Sequence, residues 1–176
     1  MTIRQVLTYP DKRLRVRARP VEKVDAAIRR LIDDLAETMY AEPGIGLAAP
    51  QLGEALRIFV IDLASPKGGE LRVFVNPRIV HAEGEIVWKE GCLSFPGISE
   101  EVTRANRVRV EALDRDGKPF SLEATELLAV AIQHETDHLD GKLLIDRVSF
   151  LKKRMIRRQM AKWNAEHGVD AEAEAG

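Results

Sequence analysis

A single cysteine, Cys92, occurs in the 176 residues, so no disulfide can close within the chain. That fits a reducing cytosol and leaves the thiol available for other chemistry. No stretch approaches the roughly 20 consecutive apolar residues that a membrane helix needs, and the opening "MTIRQVLTYPDKRLRVRARP" lacks the apolar centre of a secretion signal. The expectation is a soluble, cytoplasmic chain that is not exported and has no membrane partner. Net charge is nearly absent too: 27 basic against 28 acidic residues give −1, so nothing in the overall balance calls for nucleic acid or a lipid surface. Any basic patch must be local. There is no internal repeat, no G-x-G-x-x-G and no G-K-S/T, which argues against a dinucleotide or phosphate cradle. No break in composition divides the chain. Residues 1–165 are read as one domain and residues 166–176, which include "GVDAEAEAG", as a frayed tail.

Apolar residues, 45% of the chain, fall into clear periods. Ile28, Leu31, Ile32, Leu35 and Met39 recur at helical spacing, with Asp25 placed to cap the start and Pro43-Gly44 to stop it. From Arg57 the texture becomes short β-rich runs, "RIFVIDL" and "LRVFVNP", joined by the loop "ASPKGGE". In "RVRVEALDRDGKPFSLEA", Val108, Val110 and Ala112 alternate inward, the chain turns near Asp116-Gly117, and it returns through Phe120 and Leu122 as a hairpin. "ATELLAVAIQHETDHLDG" is a helix so densely apolar that it should lie inside the domain, with Gly141 as its stop. A last amphipathic helix runs from about Phe150 to Trp163, with Leu151, Met155, Ile156, Met160 and Trp163 apolar. The predicted class is α+β: short antiparallel sheets packed around a buried metal-binding helix, with a C-terminal amphipathic helix.

Within "QHETDHLDG", His134 and His138 are four residues apart and share a helix face, so both imidazoles can hold one ion. Glu135 is turned about 100° from His134, near enough to touch metal-bound water without being a ligand. The competing reading is a helix with two hydrogen-bonded core histidines, but charged groups on an apolar helix are costly unless used. A hydrolytic centre needs a third ligand. Downstream, Asp146, Glu166 and His167 sit poorly for it; His167 and His81, the latter in a polar turn, are read as surface histidines. The better candidate is upstream in "WKEGCLSFPG", where Cys92 follows Gly91 and precedes a β-type run ending at Pro96-Gly97. Thiolate is a strong soft ligand, and Gly91 lets backbone approach an ion or substrate. "PGIGLAAPQ" reads by itself as a helix-stop turn leading into a strand, with Gln51 a surface amide.

In that order, "GIGLAAPQ", "EGCLSFPG" and "QHETDHLDG" closely resemble the three signature segments of the bacterial peptide deformylases, and the similarity runs from "VLTYPDKRLR" through "LDRDGKPF" to the last helix. The resemblance implies a single catalytic domain that removes the formyl group from the N-terminal methionine of new polypeptides and releases formate. It implies Cys92, His134 and His138 as ligands of one divalent ion, Fe(II) by family habit, with Ni(II), Co(II) or Zn(II) able to substitute. Glu135 is then the acid/base, while Gln51 and the Leu93 N–H flank the reacting carbonyl. An extended formylmethionyl peptide is expected to pair with Ile45, Gly46 and Leu47 and with the cysteine strand beside Gly91. Ile45, Phe95, Leu127 and Val130 are the expected walls of the methionine pocket. Glu90 is placed to orient a ligand histidine and pair with Arg104, with a surface glutamate as the alternative. The basic run "LKKRMIRRQMAK" is either a ribosome-docking element or a solvated helix face. "GISEEVTR" departs from the many relatives that place a basic residue nearer the pocket.

Overall fold

The computed structural model describes residues 2–169. Three helices, α1 (Ala26–Ala41), α2 (Glu126–Leu139) and α3 (Phe150–Glu166), accompany seven strands. These are β1 (Gly46–Ala48), β2 (Ile58–Ile61), β3 (Arg72–Glu83), β4 (Ile86–Gly91), β5 (Ser99–Arg104), β6 (Arg107–Leu113) and β7 (Pro119–Thr125). One five-stranded sheet runs in the order β1-β2-β3-β6-β7, every pair antiparallel, and β4-β5 form a separate ribbon.

β2 explains why the sheet needs a helix on each face. All four of its residues are buried. Ile58 and Val60 join Leu31, Ile32, Leu35 and Met39 of α1, whereas Phe59 and Ile61 join Ala129, Ile132 and Leu139 of α2. The period-2 alternation of a strand thus serves two helical stripes of period 3.6. Asp25 caps α1 by accepting from Ile28 N at 3.0 Å, and α2 ends before Gly141, which takes φ 72°. A third cluster, with Phe95, Val102, Leu144, Ile145, Ile156 and Met160, glues the ribbon and α3 to the rest.

Three local expectations are corrected. His81 lies inside β3, which is longer than the run "LRVFVNP" suggested, and not in a turn; it remains exposed and faces Glu83 at 3.3 Å. β3 crosses two register irregularities, and polar residues on its outward side disguise the strand. Cys92 follows a strand, β4, and is itself followed by turns up to Gly97, because Phe95 N and Ile98 N close back onto Cys92 O and Phe95 O. On α3, Leu151 and Met155 are 67% and 54% exposed; the buried face is instead Ile156, Met160 and Asn164. Asn164 is inside because it is satisfied, donating to Tyr9 O at 2.8 Å and accepting from Thr8 Oγ1 at 3.0 Å. The helix includes Glu166, the first residue of the expected tail; residues 170–176 of that tail lie outside the described residues.

Candidate metal centre

Helix α2 carries His134 and His138 on one face, one turn apart, and both are buried, at 8% and 1% exposure. Their Nε2 atoms stand 3.3 Å apart, and Cys92 Sγ lies 3.4 Å from His138 Nε2. The three donor atoms all fall within 4.8 Å of one another. Three lone pairs converging on one point in a buried site repel unless something positive lies between them, which is the arrangement a divalent cation requires. Burial opposes charge on His134, but its contacts with Cys92 and Glu90 more than offset this and hold its pKa well above the ordinary value. Burial and the neighbouring His134 push His138 well below it.

Glu135 is 4% exposed, and burial lifts its carboxyl to about 7 against the pull of His134. Among the described residues its Oε1 has no hydrogen-bond partner, and His138 Nδ1 likewise lacks one. On the other side of the carboxylate is Gly46, where a Cβ would come within 2.7 Å of Glu135 Oε2. Gly46 therefore has a packing reason to be glycine. Gly44 has one also, since a Cβ there would meet Leu93 Cδ1 at 2.9 Å. At Gly91 a Cβ would make only an ordinary contact, 3.7 Å from Ile98 O, so nothing within the chain demands glycine there.

Gln51 is not a surface amide. The short 3-10 turn Ala49–Leu52, with Pro50 in its first turn and closed by Gly53 at φ 82°, turns it inward to 1% exposure. Its Oε1 accepts from Ala48 N at 3.0 Å, and Nε2 lies 3.0 Å from Ser94 Oγ and 3.7 Å from Cys92 Sγ. Glu90 is buried as well. It receives two 2.8 Å bonds from Arg104 and stands 2.8 Å from His134 Nδ1, so it is not the surface glutamate of the alternative reading. Burial opposes its charge, yet Arg104 and His134 hold its pKa down to about 2.

A cleft of about 740 Å³ opens over these groups. Ile45, Gly46, Gln51, Gly91, Cys92 and Leu93 line it together with Phe95, Leu127, Val130, His134 and Glu135. Leu47 does not: its side chain is wholly buried in the α1 cluster, leaving only its backbone for any substrate. Sequence reasoning missed Trp88, Lys89 and Gln5 on the cleft wall, and Ser94 behind Gln51. It also missed Asp137 and Arg147, which extend the Glu90–Arg104 pair. Asp137 had one usable signal, a carboxylate on an otherwise apolar helix.

Residues 3–154 match the family model of the polypeptide deformylases. The chain belongs to the peptide deformylase family. A peptide deformylase of Azotobacter vinelandii is 53% identical over 169 residues, covering 96% of this chain and all of that protein. The peptide deformylase of Alkalilimnicola ehrlichii is 49% identical over 176 residues, 100% of this chain and 99% of its own. Among solved structures, a peptide deformylase from Legionella pneumophila superposes with a TM-score of 0.91 at 47% identity, covering 96% of this chain and 99% of that one. As a peptide deformylase the chain is a metal-dependent hydrolase that removes the formyl group from the N-terminal methionine of nascent peptides. Among its described residues, no helix is long and apolar enough to cross a membrane.

Proposed function

We propose that the deformylation is carried out at the centre on α2, with Cys92, His134 and His138 as ligands of one divalent ion and Glu135 as proton carrier. The observation that carries this reading is the convergence of one sulfur and two imidazole nitrogens within 4.8 Å, beside a buried carboxylate oxygen with no partner among the described residues. When bound, the ion supplies a Lewis acid that acidifies water and polarises the formyl oxygen. Glu135 accepts the proton of the attacking water and passes it to the leaving amine nitrogen as the formyl C–N bond breaks, a role that suits its buried, unpartnered oxygen beside the three donor atoms. The Gln51 amide and the Leu93 N–H donate to the formyl oxygen as its charge develops, each such donor being worth roughly 3 to 4 kcal/mol.

β1 ends the five-stranded sheet, so an extended peptide can add along it at Ile45, Gly46 and the backbone of Leu47, opposite the chain at Gly91. Phe95, Leu127, Val130 and Ile45 then wall an apolar pocket for the unbranched, polarizable methionine side chain. We take Fe(II) as the working ion from the family resemblance; the ligand set alone does not select it, since affinity for such sites generally rises from Fe(II) through Co(II) to Ni(II). Protein prepared anaerobically with Fe(II) should lose formate release in air as Fe(II) and the Cys92 sulfur oxidise, whereas the Ni(II) form should keep it. A stable Fe(II) form, or Zn(II) as the most active, would count against iron.

We further place the protein in the cytoplasm, as one catalytic domain over residues 1–165. The basic α3 is taken as a ribosome-docking element; its exposed Phe150, Leu151 and Met155 beside the basic run support this. Charge reversal at Lys152, Lys153, Arg157 and Arg158 should weaken co-sedimentation with ribosomes and leave hydrolysis of a short formyl peptide intact; unchanged sedimentation at low salt sinks the docking role. The central test is formate release from a formyl-Met tripeptide, with acetyl-Met as control, by wild type and Glu135→Gln. The variant should keep its metal and lose at least about 10²-fold in turnover. Near-normal turnover removes Glu135 from the reaction.

A further inference from the structure

The His134 side chain is the inner end of a row of charges that reaches solvent at Arg147. Glu90 Oε1 contacts His134 Nδ1 at 2.8 Å, and both Glu90 oxygens accept from Arg104 at 2.8 Å. The remaining Arg104 nitrogen donates to Asp137 Oδ2 at 2.7 Å. Asp137 is in turn gripped by Arg147, through Nε at 3.0 Å and NH2 at 2.7 Å. Exposure rises along the row: 4% for the Glu90 and Arg104 side chains, 13% for Asp137, 38% for Arg147. Arg104, Asp137 and Arg147 surface together in a second cleft, of about 400 Å³, on the far side of α2 from the substrate cleft.

The charges alternate and cancel, two carboxylates against two guanidiniums. Arg104 alone cannot balance both Glu90 and Asp137, and an uncompensated charge at this depth is costly. Arg147 supplies the fourth charge. If it is lost, Asp137 competes with Glu90 for Arg104, the bidentate pair loosens, and Glu90 is no longer fixed against His134 Nδ1. The orientation of a ligand histidine depends on such an outer partner. We propose that Arg147, acting through Asp137 and Arg104, is a positioning residue of the metal centre that governs how firmly the ion is held. Arg147 touches neither ligand nor substrate. The proposal rests on Cys92, His134 and His138 being the ligands.

The full-length protein, loaded with Co(II), is titrated with a competing chelator while its visible Co(II) absorption is recorded, for wild type, Arg147→Ala, Arg147→Lys, Arg15→Ala and Cys92→Ala. Removing an outer partner of a ligand histidine typically weakens metal binding 10- to 100-fold, and loss of Arg147, three residues further out than Glu90, should weaken it by about fivefold to tenfold. Arg147→Ala should also change the Co(II) absorption, and Arg147→Lys, which keeps the charge without the fork, should recover part of the affinity. Arg15→Ala breaks the neighbouring exposed pair with Asp146 in the same segment, and should leave Co(II) binding as in wild type. Unchanged affinity and spectrum in Arg147→Ala, or an equal loss in Arg15→Ala, overturns the proposal. Cys92→Ala reports on the underlying reading separately: if it holds Co(II) like wild type, the ligand assignment fails; if it loses Co(II) while Arg147→Ala does not, only the positioning role fails.

Discussion

Gly46 has no side chain, and that absence leaves room for the Glu135 carboxylate, whose Oε2 would stand 2.7 Å from a Cβ at this position. Gly46→Ala must therefore displace Glu135, or shift β1 away from α2. A misplacement of about 1 Å in catalytic geometry can cost on the order of 10² in rate. Formate release by Gly46→Ala should fall by about that factor while metal content stays at the wild-type level; full activity would mean the carboxylate swings aside at no loss. The glycine was legible in "PGIGLAAPQ" as a candidate for close backbone approach to a peptide, but its neighbour Glu135 is 89 positions away and could not be read from spacing. The ligands differ in this respect. His134 and His138 are fixed relative to each other by helix geometry, so their spacing carried the information. Cys92 came from its motif, and the buried Gln51 was misjudged without the resemblance, because an amide in a turn says nothing about which way the turn faces.

Where α1 ends, Tyr40 Oη donates to Asp62 Oδ2 at 2.6 Å, and Asp62 also accepts from the backbone of Ala64 and Glu70, holding the loop after β2 against the helix. Burial, then the bond and charge of Asp62, push the Tyr40 hydroxyl up to about 12 from an ordinary 10.0. A group whose pKa is raised on folding stabilises fully below its unfolded value and loses that contribution as pH rises through the folded one. Stability should therefore drop between about pH 10 and pH 12 through this group, and less so in Tyr40→Phe. Urea unfolding across that range checks it; parallel curves for the two proteins would exclude the contribution. At the other end of the α2 element, Gly141 combines φ 72° with close contact to the Arg15 carbonyl. Gly141→Ala should cost at least about 1 to 2 kcal/mol, the left-handed strain alone, as measured by thermal unfolding. An equally stable variant would mean that the turn refolds around it. The type of the three helices and of the β6–β7 hairpin was readable, for period and caps are local, whereas the turns after Cys92 and the far end of β3 were not. The face an element buries was less so: α3 offers two apolar stripes, and the one used is set by where Thr8 and Tyr9 present partners for Asn164.

With Cys92, His134 and His138 as its proposed ligands, the metal would couple the sheet to the ribbon, since Cys92 follows β4 while both histidines ride on α2, itself packed against the five-stranded sheet. An ion that binds only the folded chain stabilises it by about 2.7 kcal/mol at a hundredfold excess over its Kd. For a chain of this size that is roughly 5 to 10 °C in Tm. Stripping the ion with a chelator should lower Tm by that much, and a Cys92→Ala protein should show no such difference; an unaltered Tm in wild type would mean the two parts are held without it. The sequence by itself determined the α+β class, the amphipathic helices, the hairpin, the i, i+4 pair of histidines and the family resemblance, because each is written in local period or in short contiguous motifs. Only the tertiary structure decided that Gly46 yields space to Glu135, that Gln51 faces inward, and that Glu90, Arg104, Asp137 and Arg147 line up behind His134. Those are meetings between segments 10 to 89 positions apart, and a contact at such separation is specified by how helices and strands pack, not by the spacing of the residues that make it.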